Sequence, residues 1–136
     1  MFSFALKNSS LYDVLHNNEK VVFTSEVICD SDIFEHDKKK YIRVRAGDVT
    51  LQFLNSLNCS CSNFFSKFIP IINNRSLVVK LPYRYKRYQI SYSGLASSDD
   101  FFTDNKIRAT IEVAGVVIQP YSAFCSFKLT ALEQVN

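Results

Sequence analysis

The chain has 136 residues, 47% hydrophobic and 21% charged, with 16 Lys and Arg against 13 Asp and Glu. That length fits one domain over residues 1–136 that buries a core without staples, and three Gly and three Pro exclude a long linker or low-complexity tail. No run approaches the roughly 20 apolar residues that span a bilayer, and the N-terminus from Met1 to Lys7 lacks the basic region and apolar run of a signal peptide.

The expected setting is therefore intracellular, with no membrane partner, and Cys29, Cys59, Cys61 and Cys125 are expected as reduced thiols. From the N-terminus, Asn8-Ser9-Ser10-Leu11-Tyr12-Asp13-Val14-Leu15-His16 predicts a short helix, with Ser10 as N-cap, Asp13 at the capping-box spacing and Asn17-Asn18 as its end. Val21 to Ile28 is β-branched and aromatic and predicts a strand. Residues 30–40 read as a polar connection.

A hairpin is expected next. Tyr41-Ile42-Arg43-Val44-Arg45 alternates, Ala46-Gly47-Asp48 turns, and Val49 to Leu54 alternates back. Ile42, Val44, Val49, Leu51 and Phe53 would face the core, and Arg43 and Arg45 would face water or a ligand. Ser62, Phe64, Phe65, Phe68, Ile69, Ile71 and Ile72 fit a short amphipathic helix interrupted at Pro70.

Ser76 to Leu81 and Tyr83 to Tyr92 read as strands, and Ser93 to Asn105 as a Ser/Asp-rich loop holding Asp99, Asp100 and Asp104. Phe101 and Phe102 within it are either pinned to the core or exposed for a partner. Lys106 to Val113 is the cleanest alternating strand and bends near Gly115. Pro120-Tyr121-Ser122 turns into a last strand with Ala123, Cys125, Phe127, Leu129 and Ala131 on one face. The expected fold is mainly β: a small OB-like barrel or sandwich of six to seven short strands, with a short N-terminal helix and a central helix.

The charge distribution is more informative than the net charge. Residues 1–48 carry eight acids and seven bases, and residues 99–136 carry five acids and three bases. Residues 49–98 contain no Asp or Glu, yet carry Lys67, Arg75, Lys80, Arg84, Lys86 and Arg87. Within that window, Tyr83 to Tyr92 as one pleated strand would place Arg84, Lys86, Tyr88, Ile90 and Tyr92 on one face and Tyr83, Tyr85, Arg87, Gln89 and Ser91 on the other.

Cations neutralise backbone phosphates and flat rings stack on unpaired bases, at about 1–3 kcal/mol per base. The competing reading is an exposed edge strand whose Lys and Arg discourage pairing. The candidate nucleic-acid-binding set is Arg43, Arg45, Arg75, Lys80, Tyr83, Arg84, Tyr85, Lys86, Arg87, Tyr88 and Tyr92.

Catalysis has little to build on. Cys59-Ser60-Cys61 lacks the second cluster that zinc sites show. The acids Asp30, Asp32, Glu35 and Asp37, beside His36, run straight into three lysines, as in a solvated connection. Two scattered histidines and three isolated glycines make neither a nucleophile's base nor a phosphate loop. No enzymatic activity, metal or cofactor is expected.

Arg108-Ala109-Thr110-Ile111-Glu112-Val113-Ala114-Gly115-Val116-Val117-Ile118, followed after a turn by Ser126-Phe127-Lys128-Leu129-Thr130-Ala131-Leu132, resembles the C-terminal strand pair of OB-fold single-stranded-DNA-binding proteins of DNA viruses and phages. An Arg-led strand reaches a Gly and an apolar triplet, and the last strand returns with a base between apolar residues. The resemblance covers about 30 residues. It implies a strand-coating accessory of DNA replication or repair, in the nucleus or cytoplasm of a virus-infected cell, with a groove lined by Arg84 to Tyr92 and by Arg43 and Arg45. It favours DNA over RNA as partner and admits self-association into a homo-oligomer. The chain departs from that pattern in lacking Trp and in ending Glu133-Gln134-Val135-Asn136 without a strongly acidic tail. The rival expectations are a small all-β virion or scaffold component and a host protein-interaction module that adds a strand to a partner's sheet.

Overall fold

A computed structural model describes residues 1–93 and 106–135. The chain begins with two antiparallel strands, β1 (Phe2–Asn8) and β2 (Leu11–His16), where a helix over residues 8–16 is expected. Asn8 Oδ1 accepts from the Ser10 N–H at 3.0 Å and from Ser10 Oγ at 3.3 Å, closing the turn between them. A short polar side chain bonding the backbone two residues on serves a turn as readily as a helix start. The alternation Phe2, Phe4 and Tyr12, Val14 decides for strands, because these side chains pack on the core.

Strand β3 (Glu19–Lys20) pairs with β2, and β4 (Val22–Cys29) forms where a strand is expected. The polar connection over residues 30–40 holds a further hairpin, β5 (Phe34–His36) into β6 (Lys39–Ala46).

The return strand expected over Val49 to Leu54 is instead the start of helix α1 (Asp48–Phe64). The segment satisfies both periods. Leu54, Leu57 and Cys61 recur at helical spacing and are fully buried, while Val49 is 83% exposed. Asp48 in the first turn faces the positive helix end, and Thr50 bonds Ser25 of β4 through their hydroxyls. Of the second expected helix, from Ser62 to Ile72, only Ser62 to Phe64 are helical, as the end of α1. The Phe65 N–H caps α1 on the Cys61 carbonyl at 2.8 Å, Lys67 turns the chain at φ 52, and Asn58 Oδ1 accepts the Ile71 N–H at 2.9 Å.

Strand β7 (Ser76–Leu81) has the expected bounds. The single strand expected over Tyr83 to Tyr92 is divided: β8 (Tyr83–Arg84) and β9 (Arg87–Tyr88) form a tight hairpin, and β10 (Ser91–Ser93) joins the main sheet. Beyond Ser93, the Ser/Asp-rich segment with Asp99, Asp100, Phe101, Phe102 and Asp104 lies outside the described residues.

Strands β11 (Lys106–Ile118) and β12 (Ala123–Gln134) complete the chain. The expected break at Gly115 is a register shift against β12. Gly115 sits at φ +140, and a Cβ there would lie 2.7 Å from the Tyr12 carbonyl. A second shift at Thr110/Ile111 turns Leu132 rather than Ala131 into the core, correcting the expected face of the last strand.

The main sheet runs β1-β2-β11-β4-β6-β7-β12-β10, and β11 also pairs with β12. The five strands β11, β4, β6, β7 and β12 therefore form a closed circuit of pairings. Every link is antiparallel except β7 to β12, which run parallel through the single pair Lys80↔Lys128. Val27, Ile42, Val79, Leu81, Ile107, Ile111 and Leu129 of these strands are buried in the same core as Leu54 and Leu57 of α1. Each fully buried Leu contributes about 2 kcal/mol. Mainly β character is as expected; twelve strands among the described residues exceed the six or seven expected, because β1 forms where no element is expected and the other added ones are two or three residues long or replace helix.

Candidate functional site

At the weakly joined β7–β12 seam the outer face carries lysines. Lys80 and Lys128 are paired across it, the hairpin turn before β6 adds Lys38, and the start of β6 adds Lys39 and Lys40. With Leu81, Pro82, Tyr83, Arg84, Tyr85 and Gln89 they line a groove of about 610 Å³ that has no carboxylate in its wall. Among the described residues none of these lysines has a carboxylate within ion-pair distance. Burial holds the Lys80 ammonium below the usual lysine range, and the charges of Lys39 and Lys128 push it the same way. A bound anion would relieve that repulsion.

The β8–β9 hairpin forms the groove's aromatic wall. Its base is held by the Gln89 N–H on the Pro82 carbonyl at 2.7 Å and by Gln89 Nε2 on the Arg84 carbonyl at 2.9 Å. Tyr83 meets Tyr88 edge to face at 4.9 Å, and Lys40 Nζ lies 4.7 Å above the Tyr83 ring. The tip is Tyr85-Lys86, both at positive φ, 55 and 63. For side chains other than Gly, Asn or Asp that conformation costs about 1 kcal/mol or more per residue. Tyr85 is 83% exposed, so packing does not compensate.

Of the residues expected to bind nucleic acid, Lys80, Tyr83, Arg84 and Tyr85 come together in the groove. Lys86 and Arg87 are on the same hairpin but outside the groove wall. Tyr88 and Tyr92 pack against the core. Arg75 pairs with Asp48, and Arg45 with Asp30 at 3.4 Å. Arg43 lies farther along β6, in a smaller cleft with Ile69, Val78 and Phe124. The positive window over residues 49–98 is thus divided between faces.

Lys38, Lys39, Lys40 and Lys128 were legible only in part. Asp37-Lys38, flanked by alternating residues, is a hairpin-turn signal that places the lysine run on a strand. Lys128 is the base between apolar residues in the last strand.

The remaining polar clusters are engaged elsewhere. Asp30 accepts from Ser76 Oγ at 2.6 Å besides pairing with Arg45. All four cysteines are free thiols, Cys59 exposed and Cys61 buried on α1. The Cys125 thiol is pushed well above its usual range, first by its hydrogen bond with Cys61 and then by burial. No described helix is long and apolar enough to cross a membrane.

Comparison with family models, with curated proteins and with solved structures finds no match to this chain.

Proposed function

We propose that this chain binds single-stranded nucleic acid, without catalysing a reaction, in the groove between the lysine cluster and the β8–β9 hairpin. The observation that carries the reading is the cation-lined wall without a carboxylate, built from Lys38, Lys39, Lys40, Lys80, Arg84 and Lys128. Six like charges held together leave the free protein with repulsion that a row of phosphates removes. Tyr83 and Tyr85 add exposed ring area at the same place, and flat rings beside a basic track are what unpaired bases stack on.

The closed circuit of five strands supports an OB-like barrel, the partly open five-stranded architecture whose second and third strands face oligonucleotides. In chain order β6 and β7 are the second and third strands of the circuit, and the single β7–β12 pair leaves it partly open. The groove lies at the junction of β6, β7 and β12. Compared with the sequence-based candidate set, Lys80 and Arg84 keep their phosphate contacts, Arg45 and Arg75 give theirs up, and Lys39 and Lys128 join.

A labelled oligonucleotide titrated by fluorescence anisotropy at two salt concentrations tests this. For about three to five neutralised phosphates the log–log salt slope is roughly −2 to −4. Absence of binding at low salt overturns the proposal, and a flat salt dependence removes the phosphate contacts from it.

A further inference from the structure

Among the described residues, four connections are two-residue hairpin loops with both residues at positive φ: Asn17-Asn18, Asp37-Lys38, Asn74-Arg75 and Tyr85-Lys86. This turn matches the twist of the flanking strands but needs the left-handed conformation twice, so Asn, Asp or Gly is strongly preferred at its first position. Three of the four obey. The fourth places a tyrosine there, the one aromatic residue at positive φ among the described residues.

Among the described residues, no packing repays that choice. Tyr85 is 83% exposed, and among the described residues its ring meets no other ring, whereas Tyr83 and Tyr88 behind it are paired. The base of the hairpin is fixed by Gln89, so the tip presents its ring from a rigid support. Below it is the wall that carries Lys80 and Lys128.

Resting on the groove reading above, we infer that Tyr85 is a dedicated base-stacking residue that makes the site select unpaired bases rather than negative charge alone. A lysine groove by itself accepts any polyanion. Polyphosphate has no flat group to meet the exposed ring, and the bases of a duplex are already stacked on one another. Single strands alone offer phosphates to the lysines and a free aromatic face to Tyr85.

The test compares three ligands of matched length: a labelled oligothymidylate, its abasic analogue with the same phosphates, and inorganic polyphosphate as competitor. The parent protein should bind the base-bearing strand about 5- to 150-fold more tightly than the abasic one, the worth of one stacked base. Tyr85→Asn should abolish that preference by weakening binding of the base-bearing strand, and raise Tm by about 2–4 °C, because Asn suits the turn. Tyr85→Phe should keep the preference.

Equal affinity of the parent for base-bearing and abasic strands overturns the inference and leaves the groove reading standing, as does a preference that survives Tyr85→Asn. A lower Tm in Tyr85→Asn overturns it too, since the tyrosine would then serve the fold. If the parent binds none of the three at low salt, the groove reading and this inference fail together.

Discussion

Two stretches of the strand circuit carry a similar density of cations and use them in opposite ways. On the face of β4, β11 and β12, Glu26 holds Lys106 at 3.2 Å and Arg108 at 3.4 Å, Arg108 also reaches Glu133 at 3.4 Å, and Lys20 meets Glu112 at 3.8 Å. The hydrogen bond from Lys106 and then its charge keep the Glu26 carboxyl below its usual range. At the seam of β6, β7 and β12 the cations face one another, and burial followed by the charges of Lys39 and Lys128 drives Lys80 away from its charged form, where Glu26 is driven toward its own. The lesson is that counting Lys and Arg does not locate a site. An arginine beside a glutamate has its partner, whereas a lysine among lysines is poised for one from outside.

The comparison can be broken first through β11, which pairs along its length with β12, the strand both faces share. Gly115→Ala forces a side chain against the Tyr12 carbonyl at a positive φ, and should cost about 2–4 kcal/mol, read as a lower urea midpoint with both faces affected alike. A shift of less than about 0.5 kcal/mol would show that β11 accommodates the methyl.

Charge reversal separates the two faces. Lys80→Glu with Lys128→Glu should weaken oligonucleotide binding by about 100-fold, while Arg108→Glu on the paired face changes it less than about 3-fold. Equal losses on both faces would mean that the protein's overall charge, rather than the groove, attracts the ligand. Salt gives the next largest effect: from 50 to 200 mM, affinity should fall about 20- to 100-fold for three to five phosphate contacts.

Alkaline pH has a smaller effect with a definite sign. Because the Lys80 pKa lies below the usual 10.5 in the folded protein, its proton is lost earlier there than in the unfolded chain. Burial of the ammonium, and then repulsion from Lys39 and Lys128, therefore lower stability while Lys80 is charged, and stability from this group rises as pH climbs through its lowered pKa. Binding runs the opposite way and should weaken several-fold over the same interval. Affinity that holds steady while stability rises would remove Lys80 from the contact. Smallest of all, Glu26→Gln should cost no more than about 1 kcal/mol and less in high salt, since the pairs it breaks are solvated.

Strong local alternation was legible. Ser76 to Leu81 and Lys106 to Val113 became strands, and Gly115 became the expected irregularity. Val49 to Leu54 was not, because Val49, Leu51 and Phe53 satisfy a strand while Leu54 also begins the helical series Leu54, Leu57 and Cys61. Only burial of Leu57 and Cys61, beyond the window, chooses between them. Asn8 and Ser10 make the same short-range bond in a turn as a helix start would use, so the local signal was real and its continuation ambiguous. The strip from Tyr83 to Tyr92 was recognised as unusual, but two residues in the left-handed region fold it back on itself, and neither is of a type that announces a turn.

By itself the sequence determined mainly β character, the strands of steady period two, and a basic, aromatic segment without acids near residue 80, since period and composition act between neighbours. Tertiary structure alone decided which cations have a carboxylate partner among the described residues. Arg45 and Arg75 find Asp30 and Asp48, while Lys39, Lys80 and Lys128, far apart along the chain, meet where β6, β7 and β12 converge. Pairing depends on distance through space, and closure of the strand circuit sets those distances.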